Sequence, residues 1–182
     1  MPLPGGWHMM PSLFSLFFIQ GRPMGSALPT AVPIRLAFTG SKAKDLYNGC
    51  LKPATACSVG TDLIACLDSE EIVLKPGERC FVLSGVRIQP AEPGWAGIVS
   101  SRSGLGAKEG VVVAQGLGLI DPDYTGEIVV VLLNTSAEVR RIKCGERIAQ
   151  LFFVHYGYPA FEVVNELAST ERGAGGFGHT GR

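Results

Sequence analysis

Leu119-Ile-Asp-Pro-Asp-Tyr-Thr-Gly-Glu-Ile-Val-Val-Val-Leu-Leu133 is the stretch whose reading decides the fold. Its first half is a tight turn, because Asp, Pro and Gly either preset or tolerate turn dihedrals. Its second half, Ile128 to Leu133, is apolar without alternation, so both faces of that strand are expected to be buried. In a small sandwich, a second buried face implies another subunit. Outward from this hairpin, short β-branched runs recur at 33–38, 61–67, 72–74, 80–88, 97–100, 111–114, 139–142, 148–154 and 161–164. Turn signals such as Lys75-Pro-Gly-Glu78, Glu92-Pro-Gly94 and Lys143-Cys-Gly-Glu146 divide them. Helical turns are expected only over 41–46 and near 105–108. Short strands at regular spacing, with no long 3.6-residue period, predict an all-β sandwich, jelly roll or barrel rather than a parallel α/β sheet.

At 182 residues and 46% hydrophobic, the chain suits one domain with a full core. Sixteen basic and sixteen acidic residues cancel, so no general field draws it to nucleic acid or an anionic membrane, and neither is expected as a partner. Any anion must be held by local groups. Five cysteines (50, 57, 66, 80 and 144) without CxxC spacing, and three histidines, support neither a zinc site nor a disulfide framework. Reduced, buried cysteines in a cytoplasmic protein are the expectation. The apolar run at 9–19 is too short to span a bilayer, and no Lys or Arg precedes it. Residues 1–30 are therefore read as a non-core extension or a mis-assigned start, with Met24 the expected start, followed by a β domain over 31–171.

The segment Arg172-Gly-Ala-Gly-Gly-Phe-Gly-His-Thr-Gly-Arg182 is read as a flexible arm. Five glycines leave it nearly unrestrained, so a ligand must order it. Arg172 offers a phosphate-binding fork, Phe177 a flat apolar face, Gly178 a backbone N–H, and His179 and Thr180 hydrogen-bonding side chains. That set suits an aromatic ring joined to phosphates, a nucleotide. Gly173, Gly175 and Gly178 also match GxGxxG, but that fingerprint needs a strand before it and a helix after it, and four residues follow Gly178. Ser101-Arg-Ser-Gly-Leu-Gly106 offers a second phosphate cradle at the end of a strand, or simply a polar turn. Gly145-Glu-Arg-Ile-Ala-Gln150 reads on its own as a hairpin turn into a strand.

Together with Val59-Gly-Thr-Asp-Leu-Ile-Ala65, these segments resemble, in order and approximate spacing, the five motifs of the trimeric deoxyuridine triphosphate pyrophosphatases, the dUTPases. The resemblance covers residues 33–182 and is most specific in LIDPDYTGEI, GERIAQLFF and RGAGGFGHTG. It implies a jelly-roll (β-clip) sandwich forming a three-fold homotrimer whose active sites each draw on all three chains. It also implies cleavage of dUTP between the α- and β-phosphates, giving dUMP and pyrophosphate, with Mg²⁺ on the triphosphate. By position, Asp121 resembles the carboxylate that orients the attacking water. Tyr124 resembles the ring packed on C2′ of the deoxyribose, and Arg102, Ser103, Gly104 and Gln150 resemble the phosphate contacts from one subunit. Asp62 is similar to the acid that organises the metal's water shell. In the arm, Arg172, Gly178, His179 and Thr180 would hold the terminal phosphates while Phe177 stacks on uracil.

Two departures stand out. At Gln115, six residues before Asp121, the family usually carries an asparagine that helps read the uracil edge, and Val59-Gly-Thr-Asp62 replaces the commoner Ala-Gly-Tyr-Asp. A dCTP deaminase shares the fold but needs a glutamate ten residues after the aspartate, where this chain has Val131. A non-catalytic nucleotide-binding or regulatory protein on the same scaffold needs neither Asp121 nor the arm, and both are present.

Overall fold

The computed structural model describes residues 31–176. The expected extension over 1–30 and the arm residues Phe177, Gly178, His179 and Thr180 lie outside the described residues. Eleven strands and two short helices follow one another in the order β1 (Ile34–Phe38), α1 (Ser41–Leu46), β2 (Thr61–Ile64), β3 (Glu71–Leu74), β4 (Arg79–Leu83), β5 (Val86–Pro90), β6 (Trp95–Ser101), α2 (Ser103–Glu109), β7 (Val111–Val113), β8 (Leu117–Ile120), β9 (Val129–Asn134), β10 (Arg140–Lys143) and β11 (Arg147–His155). Strands order as β2-β11-β6-β8 in one sheet and β4-β9-β7 in a second, with two-stranded ribbons β1-β5 and β10-β3. Every pairing is antiparallel. The fold is all-β, as the spacing of short apolar runs predicts.

Period-two alternation builds the core. Leu63 from β2, Leu74 from β3, Val82 from β4, Val99 from β6, Val130 and Leu132 from β9, Ile142 from β10 and Leu151 from β11 all point inward and are buried. Each such side chain contributes about 1.5–3 kcal/mol relative to exposure.

Four expectations are corrected, the first being burial of the cysteines: Cys50 and Cys57 are exposed, because both lie in the loop between α1 and β2. The run 80–88 is two strands, because the chain changes sheet at Ser84-Gly85: β4 pairs with β9, whereas β5 pairs with β1. Gly85 turns there at φ 76°, and a Cβ on it would lie 2.6 Å from that of Ala43, so a side chain is excluded by both strain and space. Leu117–Ile120 is a strand, although its glycines hide the pattern. The run 161–164 forms none: Phe161 and Val163 are almost fully exposed, and no strand among the described residues pairs with the segment. Within one chain β9 buries one face, and the expected burial of the other falls to another subunit. Its other face carries Val129, paired across the sheet with Leu83, and Val131, paired with Phe81, which is 77% exposed. Among the described residues no layer covers that side.

Tyr47, at the C-terminus of α1, ties the loop region to the sheets. Its buried hydroxyl donates to the Ser84 carbonyl at 2.9 Å and accepts from the Ile64 N–H at 2.8 Å, fixing the end of β2. Burial, opposed by the Ile64 hydrogen bond, pushes the phenol up to about 12 from its ordinary 10. The folded state therefore holds this proton more tightly than the unfolded chain. Its stabilising contribution is complete below pH 10 and is lost as pH climbs through about 12. Tyr47→Phe is expected to cost about 1–3 kcal/mol at pH 8, since it strands two buried backbone groups. It should also flatten the alkaline decline, which for one group runs at up to roughly 1.4 kcal/mol per pH unit. Urea unfolding of both proteins at pH 8 and pH 11, at one protein concentration, checks this. Parallel losses in the two proteins would show that Tyr47 does not set the alkaline limit.

Candidate active site

Two groups of polar side chains emerge from the β2-β11-β6-β8 sheet. In the first, register places Gln150 of β11 opposite Asp62 of β2 on one side and Ser100 of β6 on the other. Arg102 follows β6 in extended conformation (ψ 133°) and opens α2. Its Nε donates to Asp62 Oδ1 at 2.8 Å, and its Nη1 donates to the Arg147 carbonyl at 3.1 Å. Arg147, the first residue of β11, donates from Nη1 to Asp62 Oδ2 at 3.1 Å. Two guanidiniums on one carboxylate leave the trio with a net positive charge, suited to an anion. Gln150 lies against Gly60, where a Cβ would sit 3.4 Å from its side chain. The exposed Ser103 and Gly104 begin α2, so their amides lack intrahelical acceptors, and open space surrounds Gly104.

The second group sits on the hairpin around β8. Gln115 and Gly116 close the turn after β7, with the Gly116 N–H donating to the Val113 carbonyl at 3.0 Å. Asp121 follows β8, and its carbonyl accepts from the Tyr124 N–H at 3.1 Å in the turn that Asp-Pro-Asp predicts. The Asp121 side chain is exposed and receives no hydrogen bond from the described residues, leaving its oxygens free for a ligand. The Tyr124 ring is held down by its hydroxyl, which donates to the Glu127 carbonyl at 2.8 Å. Gly126 makes room for it: a Cβ there would meet the phenol oxygen at 2.5 Å. Gln115, Asp121 and Tyr124 line one cavity of about 330 Å³ whose apolar wall includes Val99, Val113, Ile128 and Val130. The Gln115 amide arches over Gly118, its nitrogen 3.4 Å from where a Cβ on Gly118 would stand.

The structure thus brings Asp62, Arg102 and Gln150 together, and separately Gln115, Asp121 and Tyr124. It does not bring the two groups to each other. Asp62, Gln150, Ser100 and Leu117 form one row across four strands, and Asp121 lies four residues beyond Leu117. Three inter-strand steps of about 4.8 Å and four residue steps of about 3.3 Å separate the carboxylates by roughly 20 Å. Arg172 is apart from both, with its Nε donating to the Gly175 carbonyl at 2.9 Å. Sequence reading misses Arg147, whose segment looks like a mere turn into a strand. An arginine opening a strand becomes a signal only once β2 and β11 are known to pair, which sets it beside Asp62 and the arginine of another motif.

Comparisons with known proteins fit this arrangement. A sequence profile of the dUTPase family matches residues 47–181. The deoxyuridine 5'-triphosphate nucleotidohydrolase of Psychromonas ingrahamii is 46% identical over 129 residues, covering 71% of this chain and 85% of the relative. That of Neisseria meningitidis is 48% identical over 128 residues, covering 70% and 85%. In three dimensions, the Staphylococcus bacteriophage 80alpha dUTPase with dUPNHPP superposes with a TM-score of 0.71 at 25% identity, covering 82% of this chain and 99% of the phage protein. With its motifs in order, its fold shared and most of its length matched, the chain belongs to the dUTPase family.

Proposed function

We propose that this protein hydrolyses dUTP to dUMP and pyrophosphate, lowering dUTP and supplying dUMP for thymidylate synthesis. The observation that carries the reading is Asp121: an unengaged carboxylate at the mouth of a nucleoside-sized cavity, beside a tyrosine ring fixed in place by Glu127 and Gly126. Asp121 takes a proton from a water whose oxygen attacks the α-phosphorus, and the bond from that phosphorus to the α,β-bridging oxygen breaks as pyrophosphate leaves. The Tyr124 ring covers C2′ and leaves no room for a ribose hydroxyl. Arg102, the Ser103 and Gly104 amides, and Gln150 bind the phosphates. Arg172, Gly178, His179 and Thr180 hold the outer phosphates, with Phe177 on the base, so that closure excludes bulk water.

Mg²⁺ fits as a passenger on the triphosphate. Among the described residues no three His, Cys, Asp or Glu side chains converge as a cage. Asp62 has both oxygens engaged by arginines, yet each oxygen keeps a lone pair for a metal-bound water. When bound there, the ion neutralises phosphate charge.

The working form in this reading is a homotrimer with sites completed between chains. Three features support it: the roughly 20 Å gap between the two polar groups, the uncovered apolar face of β4 and β9, and the exposed apolar segment through Phe161 and Val163. A cytoplasmic setting accompanies it, because five unpaired thiols persist where thiols are kept reduced.

Pyrophosphate release from dUTP, UTP, dTTP and dCTP tests the reading. Release from dUTP in preference to the other three is expected, and Asp121→Asn should lower kcat ~10²–10⁴-fold while retaining dUTP binding. Silence on all four would leave a non-catalytic nucleotide binder, and ammonia release from dCTP would mark a deaminase. Gln115 generates a second expectation. Its amide has both donor and acceptor and an extra rotatable bond, so it adapts to either pyrimidine edge and penalises mispairing less than a shorter amide. Gln115→Asn should raise the dUTP-to-dCTP ratio of kcat/KM. An unchanged ratio would assign base reading to the hairpin backbone.

A further inference from the structure

Arg147 holds both members of the phosphate-side ion pair at once. Its guanidinium occupies Asp62 Oδ2, the oxygen that Arg102 does not use, and its backbone carbonyl receives Arg102 Nη1. A carboxylate bonded through one oxygen only can swivel about its χ2 torsion, which is broad for aspartate. Bonded through both, it is fixed. The Arg102 guanidinium is then anchored at Nε by Asp62 and at Nη1 by the Arg147 carbonyl, and of its five N–H donors the outer edge is left free. Arg102 and Asp62 are largely shielded, at 23% and 19% side-chain exposure, whereas Arg147 stands at 57% on the outer side of the trio.

We propose that Arg147 is a positioning residue: by locking the Asp62 carboxylate it aims the free edge of the Arg102 fork at the substrate phosphates. The proposal rests on the reading of Arg102 as a phosphate contact. Arg147 works through Asp62 and does not itself touch the nucleotide.

Exposed ion pairs contribute little to folding, so Arg147→Gln should leave the melting temperature near that of the unaltered protein. A misaimed charge-assisted hydrogen bond, by contrast, should raise KM for dUTP about tenfold with kcat nearly unchanged. Arg147→Lys, which can still donate one bond to Oδ2, should recover part of the loss. Binding of the imido analogue dUPNHPP without Mg²⁺, measured by titration calorimetry, should weaken by the same factor. The deciding comparison is the double variant with Asp62→Asn: once Asp62 no longer carries the link, Arg147→Gln should add less than about twofold. Losses that multiply in the double variant would mean Arg147 meets the phosphates directly, and an unaltered KM would mean it does nothing; either overturns the proposal. An unaltered protein that releases no pyrophosphate from dUTP would instead sink the substrate reading, and analogue binding would still report on the Arg147 link.

Discussion

The fixed spacing of a β-sheet governs how this molecule can work. Asp62 and Asp121 hang from the same four-stranded sheet, on β2 and just past β8, with β11 and β6 between them. Hydrogen-bonded strands do not slide or compress, so the carboxylates stay roughly 20 Å apart whatever ligand arrives. In the proposed reading, a triphosphate held by Arg102 lies far from Tyr124 of the same chain, and a closed ring of copies, with one chain's hairpin facing the next chain's arginines, would bring the two groups to one nucleotide.

The same sheet order explains the surface. A three-stranded layer formed by β4, β9 and β7 buries Val130, Leu132, Val111 and Val113 inward and leaves Val129, Leu83 and Phe81 outward. In a lone chain this face is exposed, and in the proposed assembly it offers an apolar surface for contact between copies. The electrostatics are divided in the same way. The cationic trio of Asp62, Arg102 and Arg147 and the unengaged Asp121 would oppose each other little within one chain, at that distance. In the proposed assembly the cations would draw the phosphates and the lone carboxylate would be left to the water.

Much of this architecture is legible in the amino-acid sequence. Turn residues at Asp121-Pro-Asp123 and Lys143-Cys-Gly-Glu146 bracket strands correctly, and α1 over Ser41–Leu46 matches its expected span, because these signals are local. What stays hidden depends on partners distant in the chain. The break at Ser84-Gly85 is decided by which strand β4 and β5 each find, which no run of apolar residues encodes. The segment 161–164 has strand composition but no strand to pair with among the described residues. Both faces of β9 read as buried because its residues do not alternate in polarity, whereas one chain covers a single face. Arg147 escapes notice because its role comes from a carboxylate eighty-five positions away.

The central claim is that each site is completed between chains, and subunit complementation tests it most directly. Asp121→Asn chains and Arg102→Gln chains, each inactive alone, are mixed in equal amounts, unfolded and refolded together, and assayed for pyrophosphate release from dUTP. If the hairpin of one chain serves the arginines of another, random reassembly gives about a quarter of all sites an intact Asp121 and an intact Arg102, and activity returns to that level. A mixture as inactive as its components would place both groups in one chain's site and contradict the account.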